Sequence, residues 1–269
     1  MSTISTLAYI HPGATIGQNV TVDPFAVIHG EVTIGDGCHI MSHAVIMNGA
    51  VLGNNVSIFP GAVIAAIPQD LKFVGEQTVV QIGANTTIRE CVTINRGTVE
   101  KYKTVIGTNC LLMAYSHVAH DCILGNNVIL GNSVQLAGHV TIDDYAILSG
   151  MAGAHQFAHI GAHTYIAGHT VIRKDVPPFI KAAREPLSYM GVNVVGLQRR
   201  GFSKESITEI SSIYHTLFVE KNTTSAAVEL IGSTFAPGDI RDHILQFIKS
   251  SKTGIIRRPS KSTNEDNFF

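Results

Sequence analysis

Every sixth residue from Ile10 to Ile172 is aliphatic, with few exceptions. The series runs Ile10, Ile16, Val22, Ile28, Ile34 and onward to Ile160, Ile166 and Ile172. Of its 28 positions, only Asp70, Glu76, Glu100 and Ala154 depart from Ile, Leu or Val. An amphipathic helix repeats near 3.6 residues and a half-buried strand repeats at two, so neither yields this pattern. A sustained period of six is the mark of a parallel β-helix wound from hexapeptides. Three hexads make one triangular coil of about eighteen residues, each aliphatic side chain points into the prism, and coils stack at roughly 4.8 Å with backbone groups paired above and below. The span predicts about nine coils, or roughly 45 Å of prism. Gly often follows the aliphatic residue, as at Gly17, Gly35, Gly53, Gly83, Gly107, Gly125, Gly131 and Gly161. There it is expected to permit the backbone angles of a tight corner.

Two segments carry charges at the core phase, Pro68 to Thr78 and Arg96 to Thr104. They are expected to loop out of the prism, where binding residues often sit. After Ile172 the hexads stop at Lys174-Asp175-Val176-Pro177-Pro178. A helix is predicted from Ser203, a capping residue, with Ile207, Ile210 and Ile213 on one face. Further helices are predicted over Ser225 to Ile231 and Ile240 to Ile248, and a polar, disordered tail from Lys252. The expected organisation is a mainly β chain. A β-helix domain covers 1–190, with loops at about 68–78 and 96–104, and a small C-terminal helical domain with the polar tail covers 191–269. The helical part is expected to cap the open end of the prism.

Lys and Arg number 19 against 20 Asp and Glu, a net charge of −1, which lacks the basic excess of a nucleic-acid binder. Only 14% of the chain is charged, so its surface relies on Asn, Thr, Ser, His and Gly or is buried against other subunits. Cys38, Cys91, Cys110 and Cys122 form no C-x-x-C pair and read as buried free thiols of a reducing compartment. The N-terminus lacks a basic n-region and no apolar run is long enough to cross a bilayer, so a cytoplasmic protein without stable membrane insertion is expected.

The eighteen-residue coil also orders the histidines. His120 lies one coil from Gly138 and two from Gln156, with His139 and His155 flanking them and His117 and Asp121 adjoining His120. Histidines decorating a low-charge surface explain one such residue better than a strip at coil spacing. The strip suits acid–base chemistry, since imidazole exchanges protons near neutrality. It equally suits zinc, which three His can bind. Asp121 is placed to orient an imidazole only if the chain turns a corner between the two residues, because neighbours on a strand face opposite ways. Cys122 falls two residues before the core position Leu124 and reads as structural, so a general-base mechanism fits better than a covalent one.

The motifs also resemble a known family. Gln69-Asp70-Leu71-Lys72, Ile88-Arg89-Glu90, Asn95-Arg96-Gly97-Thr98, His117-Val118-Ala119-His120-Asp121, Leu136-Ala137-Gly138-His139, His155-Gln156-Phe157, Asp175 to Pro178, and Gly191 to Asn193 through Arg199-Arg200-Gly201-Phe202 are similar to segments of the UDP-N-acetylglucosamine acyltransferases that begin lipid A synthesis. They occur in family order over nearly the whole chain. The resemblance implies a left-handed β-helix and a homotrimer with sites between subunits. It implies transfer of an R-3-hydroxyacyl group from acyl carrier protein to the 3-hydroxyl of UDP-N-acetylglucosamine, with no cofactor or metal. His120 matches the general base, Asp121 its assistant, and Gly138 the oxyanion donor. Asp70, Lys72, His117, His139 and Gln156 match substrate-binding positions, with His155 among them, and Asn193, Arg199 and Arg200 match a nucleotide- and donor-binding stretch. Gly168 matches a position that limits acyl-chain length, and Tyr165 nearby is placed to shorten the groove. The cations Arg173, Lys174, Lys181, Arg184, Arg199 and Arg200 read either as a solvated face or as a docking surface for acidic acyl carrier protein.

Two positions depart from the family pattern. Val195 stands where members carry a Glu that contacts the ribose, and Asn95 where they often carry His. The related N-acyltransferases carry an N-terminal domain for which hexads beginning at Ile10 leave no room. A 3-amino acceptor, a zinc lyase of the γ-carbonic-anhydrase type and a purely structural scaffold are the other readings.

Overall fold

The computed structural model describes residues 1–220 and 223–258. Short parallel strands, most of two residues, stack into three flat faces of a left-handed β-helix. The first face runs through nine strands from Thr3–Ile4 to Tyr165–Ile166, the second through nine from Tyr9–Ile10 to Val171–Ile172, and the third through eight from Thr15–Ile16 to His159–Ile160. The prism therefore begins one strand earlier than the hexads counted from Ile10. The aliphatic series is buried from Val22 to Ile172 wherever it stays in the prism, and Ile28, Ile40, Ile58, Ile88 and Ile94 are wholly so. A second layer lies two residues before it, at Val20, Ala26, Cys38, Ala44, Val56, Ala62, Cys110 and Cys122. Three of the four cysteines are thus small core residues, as expected, but Cys91 is exposed.

Register explains why the period survives its interruptions. Thr21 pairs with His39 and Ile123 with Thr141, eighteen residues apart. Ser57 pairs with Thr87, thirty apart, and Thr87 with Leu111, twenty-four apart. The first insertion adds two hexads' worth of chain and the second adds one. Both are multiples of six, so the aliphatic series returns in phase, and Asp70, Glu76 and Glu100 fall in the excursions.

The corners correct the reading of the glycines. The residue with positive φ is the third after the aliphatic one, for example Asn19 (φ 55), Asn127 (φ 57) and Asp121 (φ 59). The Gly that directly follows the aliphatic residue meets a different demand. A Cβ at Gly107 would lie 2.3 Å from the carbonyl oxygen of Gly125 in the next coil. Close stacking of backbones, rather than conformational freedom, excludes a side chain there.

At the open end, Ile180–Ala183 adds to the first face and pairs antiparallel with Ser188–Val192. This hairpin was not anticipated, nor was the short helix α1 (Val194–Arg199) that follows it. Helix α2 (Lys204–Phe218) starts where predicted: the Ser203 side chain accepts from Ser206 N, and Ile207, Ile210 and Ile213 are buried. Tyr214, wholly buried on α2, donates to Pro178 O at 2.6 Å and ties the helix to the prism. Helices α3 (Thr224–Thr234) and α4 (Asp239–Ser250) extend beyond the predicted spans. The tail is not wholly free: Ile255 and Ile256 are buried, and Arg257 bridges to Ser188. The disorder expected beyond Arg258 falls outside the described residues. No helix among the described residues is long and apolar enough to cross a membrane.

Two glycine substitutions separate backbone crowding from helix entropy. Gly107→Ala should destabilise by about 1–3 kcal/mol through overpacking. Gly232→Ala, inside α3 with nothing within 4 Å of its Cβ, should stabilise by about 0.5–1 kcal/mol. Thermal melts of the two proteins should shift in opposite directions.

Candidate active site

The second face ends at a corner where the chain turns after His117–Val118. Asp121 occupies its positive-φ position, and this turn brings its carboxylate back to the preceding residue. His120 Nδ1 lies 2.9 Å from Asp121 Oδ2, so the corner that the pairing requires is present. The second insertion wraps the same carboxylate. Thr98 donates to it through N (3.0 Å) and Oγ1 (2.6 Å), and Lys101 N donates at 3.3 Å. Thr104 Oγ1 accepts from Asp121 N at 2.9 Å. Asp121 is fully buried and His120 is 5% exposed. Burial alone would raise the Asp121 pKa, but the hydrogen bonds from Thr98 and His120 outweigh it and hold the carboxyl below its ordinary range.

This arrangement fixes the imidazole. An ionised carboxylate only accepts, so His120 Nδ1 carries the proton and Nε2 presents a lone pair. That ring lies beneath Gly138: a Cβ on Gly138 would fall 2.7 Å from His120 Nε2. Gly at this position keeps the space over the ring open.

His120, His117, Gly138, His155 and Gln156 line one groove of about 460 Å³ along the second face. The register that aligns them is observed, since Gln135 pairs with both His117 and Gly153. His117 Nδ1 is 2.7 Å from Thr93 Oγ1, and burial followed by proximity to His120 lowers its pKa. Gln69, from the first insertion, also lines the groove. It stands in the sequence motif, yet only the placement of the loop reveals its role. Buried Asn95 helps to seat that loop by donating to Ile67 O at 3.1 Å.

Other candidate residues lie elsewhere on the chain. His139 is outside the groove lining; it stacks on Phe157 (4.6 Å between centroids), meets His120 edge-on, and stands 3.8 Å from Asp121 Oδ2. Burial lowers its pKa against the opposing pull of Asp121. Asp70 Oδ1 accepts from Lys72 N at 2.9 Å in a local turn, and neither residue lines the groove. Asn193 caps α1, accepting from Gly196 N and donating to His163 O at 2.9 Å. Arg199 is exposed, whereas Arg200 sits 5.3 Å from the Tyr145 ring centroid at a different edge of the prism. Gly168 belongs to a third edge, where a Cβ would meet Gly150 O at 2.8 Å, and Tyr165 lies on the first face. Of the basic cluster, Arg173, Lys174 and Arg184 share a cavity with Arg257 and Arg258, while Lys181, Arg199 and Arg200 do not line it.

The ligand atoms of His120, Asp121 and His139 lie within 4.8 Å of one another, close enough to hold a metal ion. The Asp121 carboxylate, however, already accepts four hydrogen bonds, its full complement of lone-pair sites. Metal binding there would require the second insertion to release it. The donor set fits an oriented imidazole better than a metal ligand.

Known proteins share this architecture and these segments. Residues 13–48, 31–66 and 103–138 match the bacterial transferase hexapeptide model, and residues 175–256 match the model of UDP N-acetylglucosamine O-acyltransferase domain 2. The acyl-[acyl-carrier-protein]–UDP-N-acetylglucosamine O-acyltransferase of Aliivibrio salmonicida is 45% identical over 257 residues, covering 93% of this chain and 98% of the relative. The chain belongs to the UDP-N-acetylglucosamine O-acyltransferase family. Among solved structures, the family member from Bacteroides fragilis superposes with a TM-score of 0.93 at 48% identity, covering 94% of this chain and 99% of that one. The acyltransferase from Francisella novicida gives 0.93 at 38% identity, covering 96% and 95%.

His163 makes a pH prediction. It is stacked between Tyr145 and Phe179, and burial followed by the charge of Arg200 depresses its pKa to about 4. Between an unfolded value of about 6.5 and that folded value, the unfolded chain binds more protons, so stability falls as pH drops through this window. Denaturation midpoints at pH 7 and pH 5 should differ, and His163→Phe should reduce the difference. His117 and His139, also lowered by burial, add to the loss in the same direction, so His163→Phe should remove only part of the difference, while Asp121, depressed below its ordinary value, acts at lower pH.

Proposed function

We propose that this chain transfers an R-3-hydroxyacyl group from acyl carrier protein to the 3-hydroxyl of UDP-N-acetylglucosamine, the first step of lipid A biosynthesis, with His120 as general base. Membership of the family supplies the reaction, and the His120–Asp121 pair facing the groove supplies the chemistry. His120 Nε2 takes the proton of the sugar hydroxyl as its oxygen attacks the thioester carbon. The imidazolium is stabilised by buried Asp121, whose negative charge is already secured by Thr98. The Gly138 N–H faces the oxyanion of the tetrahedral intermediate, a role commonly worth a few kcal/mol. Collapse expels the thiolate of the carrier, which takes the proton back from His120. No covalent enzyme intermediate is needed, and the buried Cys122 thiol, pushed up to about 12 by burial, is unsuited to form one.

His117, His155, Gln156 and Gln69 line the acceptor groove. Arg199 and Arg200 lie beyond its reach within one chain, because they belong to a different edge. In a homotrimer the edge of one copy faces the groove of the next, which brings α1 and its arginines to the nucleotide phosphates. Asn193 then acts by capping and placing that helix. Asp70 and Lys72, beside Gln69, hold the sugar nucleotide or donor at the mouth, and His139 supports the base from behind. Gly168 and Tyr165 set the acyl-chain length. The enzyme works in the cytoplasm without a cofactor.

Purified protein should acylate UDP-N-acetylglucosamine when supplied with a panel of 3-hydroxyacyl carrier proteins. His120→Ala should lower kcat by about 10²–10⁴-fold, and Asp121→Asn should lower it by a comparable factor because an amide removes the negative charge and can present its NH₂ to Nδ1, so the tautomer is no longer fixed. Retained activity in His120→Ala would remove it as the base. Preference for a 3-amino acceptor in the same assay, or a stoichiometric zinc requirement, would redirect the assignment.

A further inference from the structure

The motif Asn95-Arg96-Gly97-Thr98 opens the second insertion, directly after the buried core residue Ile94. Its first three residues grip the first insertion at both ends. Arg96 N donates to Ala66 O at 2.9 Å, and the Asn95 side chain donates to Ile67 O at 3.1 Å. Gly97 N donates to Val79 O at 3.4 Å, where the first insertion rejoins the prism. The Arg96 side chain reaches further along that loop. Its Cζ lies 5.3 Å from the centroid of the Phe73 ring, and Nη1 donates to Asn48 O at 3.4 Å. A Cβ at Gly97 would lie 2.3 Å from Lys103 N, so only glycine lets the two stems of the second insertion pass this closely.

The fourth residue faces the base. Thr98 is buried, and its hydroxyl donates to Asp121 Oδ2 at 2.6 Å. The same oxygen accepts from His120 Nδ1 at 2.9 Å, while Thr98 N donates to Oδ1 at 3.0 Å. One residue thus supplies a donor to each carboxylate oxygen, which leaves the carboxylate a single orientation. Thr98 O accepts from Tyr102 N at 2.7 Å and closes the turn. Lys101 Nζ donates to Asp121 O at 2.9 Å. The other titratable groups around the pair are His139, 3.8 Å from Asp121 Oδ2, His117 beside His120, Glu100 beside His139, and the adjacent buried Cys122. Neither Thr98 nor Arg96 lines the groove.

Hydrogen bonds to an ionised carboxylate are among the strongest a side chain makes, so the loss of one is felt wherever that carboxylate acts. We propose that the 95–98 segment is a brace that positions both halves of the site. Thr98 is the positioning residue of the His120–Asp121 pair, and Arg96 is the positioning residue of the loop that carries Gln69. The inference rests on His120 as the proposed base. Thr98 acts through Asp121, and Arg96 acts through Phe73 and the loop stem. Because one short segment spans the two, the acceptor hydroxyl and His120 Nε2 are set against a common reference. Misplacement of reacting groups by ~1 Å can cost ~10²-fold in rate, which is the error such a brace suppresses.

Steady-state kinetics of acyl transfer, measured across pH, separate the two roles. Thr98→Val removes the hydroxyl and keeps the shape. It should lower kcat by about 10–100-fold and leave KM for UDP-N-acetylglucosamine within about twofold. It should also move the acid limb of kcat/KM to higher pH. The sign follows from the lost donor: the carboxylate then holds a proton more tightly and raises the proton affinity of the imidazole it faces, and the limb reports the pair. Thr98→Ser should restore most of the rate. In an Asp121→Asn background, Thr98→Val should cost no more than about threefold, because its route to the base is already cut. Arg96→Met should instead raise KM by about tenfold, the scale of one lost contact, with the acid limb in place. Protein that merely misfolds would lose activity without moving the limb. An unmoved limb in Thr98→Val, a full further loss in the Asp121→Asn background, or no rescue by Thr98→Ser would overturn the role of Thr98. An unchanged KM in Arg96→Met would overturn that of Arg96. Full activity of His120→Ala would count against the proposed base itself, whereas an inactive His120→Ala beside an unaffected Thr98→Val would sink the brace alone.

Discussion

The structure depends on coil-on-coil register. Each coil finds its hydrogen-bonding partners in the coils above and below, and each aliphatic residue sits against its counterparts eighteen residues away. A one-residue slip would turn an inward side chain outward along a whole face. That penalty explains why both insertions add whole hexads: the chain can leave the prism only if it returns in phase. It also explains the crowded glycines, such as Gly107 against Gly125, because backbones stacked at strand spacing leave no room for a Cβ at those points.

The same register makes the corners useful. Most corners have one residue in the left-handed region, and most of these positions hold residues that serve only to turn the chain. At Asp121 the turn carries a carboxylate, and the second insertion closes over it. Burying a charge is expensive unless it is fully hydrogen-bonded. Here the bonds from Thr98, Lys101 and His120 answer that need, and they tie the second insertion to the corner. The result is an imidazole with one nitrogen committed and the other directed into a groove. Gly138, one coil above, keeps that nitrogen accessible. A scaffold constraint and the proposed acid–base chemistry meet in three residues.

Much of the site was legible before any coordinates. His120, Gly138 and Gln156 fall on one edge because eighteen-residue arithmetic is the geometry of the prism, and the resemblance then attached a reaction to that edge. The arithmetic relates only residues on the same edge, however. Arg200, Gly168 and His120 lie on three different edges, and no periodicity in one chain relates them. Gln69 was visible in a motif, but its approach to the groove depends on a loop whose path has no repeat. The role of Thr98 as a partner of Asp121 was hidden for the same reason. The tail was misread because its polar composition masked Ile255 and Ile256, two apolar residues that are seated by the buried Asp175.

By itself, the sequence determined the six-residue period, the inward aliphatic layer, the interruptions and the strip that carries His120. These are local consequences of a repeat, readable because each hexad faces the same environment. The tertiary structure alone decided which donors surround Asp121, which nitrogen of His120 faces the groove, and how the clamped tail brings Arg257 beside Arg173. Those contacts join segments that share no period, and their geometry exists only once the insertions and the terminal strand have packed against the prism.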